Sequence, residues 1–185
     1  MQAAAPLALV LLALTSVAFY LGRRRSLRVA NGSVRTLHSL PSYHGFYTAL
    51  WCGIPAFLLF AAWLSFEPTI VTKLVVAELP QEMREQPESR IDLLVNDIKN
   101  VVTGSIPARQ VDPPVVAAAE RYRHLAGLSS AALAVLVLAL AIAGATYALR
   151  GIRADLRARN RVEAVIRAFL IGSSTIAIFT TIGIV

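Results

Sequence analysis

Three histidines and one cysteine are the side chains here best suited to binding a metal or attacking a substrate: His38, His44, His124 and Cys52. Their spacing supports neither chemistry. His38 and His44 lie six residues apart, which fits neither the i,i+3 nor the i,i+4 spacing of helical ligand pairs. No acid lies nearby to complete a site, so these imidazoles read as interfacial side chains. Cys52 falls inside an apolar run and reads as a small packing residue with nothing to pair with. A G-x-x-x-x-G-K-[ST] sequence is absent, so the chain does not cradle nucleotide phosphates in the P-loop manner. The residues therefore supply no candidate catalytic, cofactor-binding or metal-binding set, and no substrate-binding residue can be named.

Arginine is the remaining chemistry. Of the 18 basic residues, 11 fall into two short runs beside apolar stretches. One run is Arg23, Arg24, Arg25, Arg28 and Arg35; the other is Arg150, Arg153, Arg157, Arg159, Arg161 and Arg167. Nucleic-acid binders place their basic residues on a folded soluble face or along an exposed helix. Flanking apolar runs is instead the arrangement that keeps loops in the cytoplasm, so nucleic acid is not expected despite a pI near 10.3. The arginines of the two runs read as topology anchors, and they suit membrane lipid with anionic headgroups at about 1 kcal/mol per charge.

Composition shows what these anchors hold. The chain has 185 residues, 56% hydrophobic and 16% charged, with a net charge of +7. A soluble domain runs nearer about 45–50% apolar and about 25% charged. Disorder needs low hydrophobicity, and a disulfide scaffold needs more than one cysteine, so both are excluded. The composition is that of an integral membrane protein.

Four stretches reach the roughly 20 apolar residues that cross a bilayer. They cover 1–22, 46–66, 125–149 and 168–185, the last starting earlier if Arg167 snorkels to the headgroups. Lipid offers no partners to unpaired backbone groups, so each must be helical. The first is not built like a signal peptide: nothing basic precedes it, and Arg23-Arg24-Arg25 follows it. A retained helix with its N-terminus outside is the reading. The intervening charges agree. Segment 23–43 holds five Arg and no acid, 67–123 holds nine acids and seven bases, and 150–167 holds six Arg and two acids. Positive segments stay inside, which places the loop 67–123 outside.

That loop carries helix signals. Ile70, Val71, Leu74 and Val75 follow Glu67-Pro68 with a helical period that Pro80 closes. Ser89 with Asp92 resembles a capping box, Ile91, Leu94, Val95, Ile98, Val101 and Val102 form one stripe, and Gly104 suits a left-handed C-cap. Asp112-Pro113 opens a helix that can run through Arg123 into the third span. The fold class is all-α: a polytopic membrane protein with four transmembrane helices and a helical periplasmic loop between the second and third. Pro55 should kink the second span and leave the Trp51 carbonyl without its usual donor. Ser173, Ser174, Thr175, Thr180 and Thr181 on the fourth span suit packing against a neighbouring helix first and a polar pathway second, and can also bond back to their own backbone.

Two stretches carry a family resemblance. Residues 37–47, Leu-His-Ser-Leu-Pro-Ser-Tyr-His-Gly-Phe-Tyr, with Ala49-Leu50-Trp51, resemble the cytoplasmic approach to the second helix of bacterial phosphate ABC transporter permeases of the PstC type. Residues 157–163, Arg-Ala-Arg-Asn-Arg-Val-Glu, followed by 174–185, Ser-Thr-Ile-Ala-Ile-Phe-Thr-Thr-Ile-Gly-Ile-Val, look like the start of that family's core permease domain. The resemblance spans essentially the whole chain. It implies an N-terminal permease extension over 1–163, the first core helix over 164–185, and a truncated or fragmentary permease whose substrate path lies elsewhere. It further implies a bacterial inner-membrane phosphate importer in which the permease is not itself an enzyme. The implied partners are a second permease subunit, a cytoplasmic ATPase dimer that holds the ATP, and a periplasmic phosphate-binding protein. This chain itself would hold no cofactor and, alone, would neither bind nor move phosphate. A sensory or accessory four-helix membrane module is the alternative, with more apolar spans beyond residue 185 favouring the permease.

Overall fold

Uninterrupted apolar sequence that must satisfy its own backbone has one solution, the helix. The structure, a computed structural model, describes residues 4–30, 37–107 and 110–184. Six helices appear among them: α1 (Ala4–Val29), α2 (Pro41–Ala77), α3 (Gln81–Arg84), α4 (Glu88–Thr103), α5 (Pro113–Arg150) and α6 (Ala158–Ile184). No strand occurs among the described residues. Helices α1, α2, α5 and α6 are each long and apolar enough to cross a membrane, which is the expected all-α, four-span class.

The helices outrun the apolar bodies that predicted them. Helix α1 continues through Arg23-Arg24-Arg25 to Val29. Helix α2, 37 residues long, begins at Pro41, where a missing N–H costs nothing, and runs on through Pro55 and Glu67-Pro68. The separate helix expected after Pro68 is therefore the end of α2. Its Val71 and Val75, with Leu79 just beyond its end, are buried on neighbouring helices, and that packing offsets the hydrogen bond Pro68 removes. Helix α5, 38 residues long, starts at Pro113 and carries straight into the third span, as read from Asp112-Pro113.

By contact the chain divides into two units, Met1–Leu58 with Val137–Val185, and Leu59–Leu136, with the divisions falling inside α2 and α5. In the second unit Val71, Val75 and Leu79 meet Ile98 and Val101 of α4 and Val115, Ala118 and Ala119 of α5. The α4 stripe behaves as its period requires: Ile98 and Val101 are buried and Leu94 and Val102 half-buried, while Leu93 on the other face is 62% exposed. Gly104 ends α4 at φ +77°, donating its N–H to Asn100 and Val101. Arg123 Nη2 donates to the Val101 and Val102 carbonyls at 2.7 and 3.1 Å, satisfying acceptors the helix leaves free. The capping box is not found: Pro87 precedes α4 and no side chain caps it, so Ser89 lies inside the helix. Trp63 Nε1 donates to Ser129 Oγ at 3.0 Å, and Arg121 makes a two-pronged pair with Glu78 at 2.7 and 3.0 Å.

In the first unit, helices meet through small residues. A β-carbon on Gly22 would lie 2.8 Å from the His44 carbonyl oxygen, and one on Gly45 would lie 2.8 Å from the Phe19 ring. One on Gly144 would overlap the Trp51 carbonyl oxygen. Val137, Ala141 and Ala148, on the same face of α5 as Gly144, are fully buried. Close backbone approach through small residues is how helices associate where hydrophobicity gives no drive between them.

Candidate functional site

The first unit gathers its arginines and their polar partners at one end. Helix α1 finishes, α2 starts, α5 finishes and α6 starts there. Gly22 of α1 abuts Thr48 and His44 of α2, while Tyr47 of α2 clusters with Ala148 of α5 and Ala158 and Val162 of α6. Both arginine runs are thus brought to the same end of this unit. Arg23, Arg24, Arg25, Arg28, Arg150, Arg153, Arg157, Arg159 and Arg161 are all exposed there; Arg35 lies outside the described residues.

Long-range bonds tie this end together. His38 N donates to the Ala154 carbonyl at 3.0 Å, and Arg159 N donates to Ser39 Oγ at 3.3 Å. Ser39 therefore satisfies one of the backbone donors that α6 leaves free at its start. Arg159 also pairs with Glu163 one turn on and stands 6.0 Å over the Tyr43 ring. Arg161 reaches the Tyr47 hydroxyl at 3.4 Å and stands 5.8 Å over that ring. Arg24 sits 4.5 Å over Tyr20. Cation–π contacts of this kind hold a guanidinium in place without neutralising it. Sequence reasoning missed these partners of Tyr43 and Tyr47 and missed Ser39. Pairings across more than a hundred residues leave no local pattern.

The histidines divide. His38 and His124 are exposed. His44, expected at an interface, is instead fully buried beneath α1, its Nδ1 3.3 Å from the Leu40 carbonyl and its Nε2 without a partner. Gly22 is the reason: lacking a side chain, it lets α1 settle onto the His44 turn. Cys52 is buried as a packing residue. Among the described residues no three His, Cys, Asp or Glu side chains come together as a metal set.

Helix α6 is exposed at every position from Arg167 to Gly183, including Phe169 at 59% and Phe179 at 71%. Four of its hydroxyls turn inward on their own helix. Ser174 and Thr175 bond the Ile171 carbonyl, Thr180 the Ile176 carbonyl and Thr181 the Ala177 carbonyl. This is the back-bonding open to them from the sequence, and it satisfies these four hydroxyls where lipid offers nothing.

Two hollows open at the basic end. One, of about 490 Å³, is apolar and lies between α2 and α6, with Leu50, Ile54, Pro55, Ala164 and Val165 in its wall and Arg161 beside them. The other, of about 510 Å³, is polar and is lined by Arg153, Asp155, Arg157, Asn160 and Arg161.

Four helices long and apolar enough to cross a membrane define a multi-pass α-helical membrane protein. The chain matches, over residues 8–180, a family model described as a phosphate ATP-binding cassette transporter. It belongs to that family, and so works with other transporter components. No curated protein and no solved structure matches it.

Proposed function

We propose that the chain is a membrane-spanning permease component of an ATP-driven phosphate importer in a bacterial inner membrane. The family match over 8–180 is the observation that carries this reading. Four spans without a nucleotide cradle suit a subunit that forms or braces a path while ATP is hydrolysed on another chain. Residues 1–163 then form an N-terminal extension of the PstC type, and 164–185 the first helix of the core permease domain. A second permease subunit, a cytoplasmic ATPase dimer and a periplasmic phosphate-binding protein complete the machine. The basic end of the first unit faces the cytoplasm, and the N-terminus and segment 67–123 face the periplasm.

The test uses the tagged chain in its native membrane. It should co-purify with an ATP-hydrolysing subunit and a second permease subunit, and its depletion should abolish high-affinity uptake of radiolabelled phosphate. Unchanged uptake together with purification free of any ATPase would favour a sensory or accessory module instead.

A further inference from the structure

We propose that the basic end of the first unit holds a single anionic phospholipid, its headgroup phosphate among Arg153, Arg157, Asn160 and Arg161 and one acyl chain in the groove between α2 and α6. Three observations carry this. The first is unbalanced charge. Arg157, immediately before α6, and Arg161 in its first turn stand one turn apart, the Arg161 N–H bonding the Arg157 carbonyl, and like charges so placed repel unless an anion lies between them. Neither makes an ion pair among the described residues, nor does Arg153, whereas Arg159 on another face of the helix is matched by Glu163. Asp155 also lines the polar hollow, so three guanidiniums oppose one carboxylate and an excess of two positive charges remains. The start of α6 adds the positive end of its dipole at the same spot. Guanidinium forks and an Asn amide are suited to phosphate oxygens.

The second observation is the joint between the hollows. Arg161 lines both of them. Going along the chain from Arg157 into α6, Arg157, Asn160 and Arg161 line the polar hollow, and Arg161, Ala164 and Val165 line the apolar one. A ligand following this face passes from a phosphate-binding environment to a hydrocarbon one within two turns, and phospholipid has that polarity. Free phosphate would use only the first hollow.

The third observation is size and anchoring. At about 490 Å³ the apolar groove falls within the roughly 300–1,000 Å³ range of ligand sites. Its wall is held by Tyr47, which is 4% exposed, and the Tyr47 hydroxyl reaches Arg161. The groove is therefore backed by packed side chains and not by mobile ones.

The experiment is native mass spectrometry of the full chain in non-ionic detergent, titrated with phosphatidylglycerol, phosphatidylcholine or inorganic phosphate. One phosphatidylglycerol per chain should be retained, roughly tenfold more tightly than phosphatidylcholine, a difference of about 1.4 kcal/mol. Millimolar inorganic phosphate should not displace it. Arg157→Gln with Arg161→Gln should remove the preference for the anionic lipid, and Val165→Trp should weaken retention of both lipids by filling the groove. Ile54→Trp fills it from the α2 side, so agreement between the two, at unchanged helicity by circular dichroism, separates blocking from misfolding. Arg24→Gln with Arg25→Gln serves as the charge-matched control and should change nothing. An equal loss in that control would show diffuse attraction to basic protein. Unaltered retention in both Trp variants would leave no chain in the groove, and displacement by phosphate would mark a free-anion site. Each of those three results overturns the proposal.

Discussion

Gly144 of α5 lies against the backbone of Trp51 in α2 so closely that a β-carbon there would overlap the carbonyl oxygen and sit 3.0 Å from the carbonyl carbon. This is the carbonyl that Pro55, four residues on, deprives of its usual amide donor. Two departures from an ordinary helix therefore coincide: an unclaimed acceptor on α2 and a bare backbone on α5. Close approach of a glycine Cα–H to such a carbonyl supplies a weak bond of a kind seen between packed helices.

Gly144→Ala should accordingly be costly despite alanine's better helix propensity. Since backbone and not a flexible side chain blocks the added methyl, overpacking should cost about 1–3 kcal/mol. Gly127→Ala is the contrast, because nothing lies within 4 Å of a β-carbon there. That variant should be neutral or more stable by up to about 1 kcal/mol. Denaturant unfolding of both in detergent checks the pair; equal stability would mean that α2 shifts freely to accommodate the methyl.

The end of α4 offers a second pair. Gly104 at φ +77° occupies a conformation that costs a side-chain-bearing residue about 1–2 kcal/mol, so Gly104→Ala should lose about that much. Arg123→Ala frees the Val101 and Val102 carbonyls and should cost about 1 kcal/mol. Both should speed hydrogen exchange in the last turns of α4 and leave α1 unchanged.

The end of α4 also marks where sequence reading succeeds. The α4 stripe and its terminal glycine are local patterns, decided by residues within one helix, and both were legible. The α2 boundary was not, because Glu67-Pro68 argues for a break and only the burial of Val71, Val75 and Leu79 on other helices overrides it. The expected cap at Ser89 failed similarly, since Pro87 opens that helix instead. At the basic end the arginine runs were legible as charge. The Arg159–Glu163 pair is local, one turn apart on α6, whereas Arg161 against Tyr47 needed α2 and α6 brought together. Phosphate is written in none of these charges and rests on family membership alone.

The Glu78–Arg121 pair should report on pH. The hydrogen bond from Arg121 holds the Glu78 carboxyl below its ordinary value. A carboxyl lowered on folding stabilises the native state above its unfolded pKa, about 4.3, and loses that contribution as pH falls through the lowered value. Both side chains are about half exposed, at 47% and 50%, so the effect is small and screened by salt. Wild-type and Glu78→Gln melting temperatures should differ slightly at neutral pH and low salt, then converge in acid. A gap that widens in acid would reverse the sign argued here.

Orientation gives the last prediction. Gln86 lies between α3 and α4, and Asp155 lies in the exposed turn between α5 and α6. Segment 67–123 carries a net negative charge, while 150–167 carries six Arg against two acids. The positive-inside rule then places Gln86 outside and Asp155 inside. The native Cys52 is buried, and replacing it with Ala leaves a background free of other thiols. In that background a membrane-impermeant maleimide should label Gln86→Cys in intact spheroplasts and label Asp155→Cys only after the membrane is opened. Adding negative charge tests the cause. Replacing Arg153, Arg157 and Arg161 with Glu turns 150–167 from six bases and two acids into three bases and five acids. If arginine charge sets the topology, part of that population should expose Asp155→Cys to the outside. Labelling that stays wholly internal would assign orientation to the first run, at Arg23, Arg24 and Arg25, acting alone.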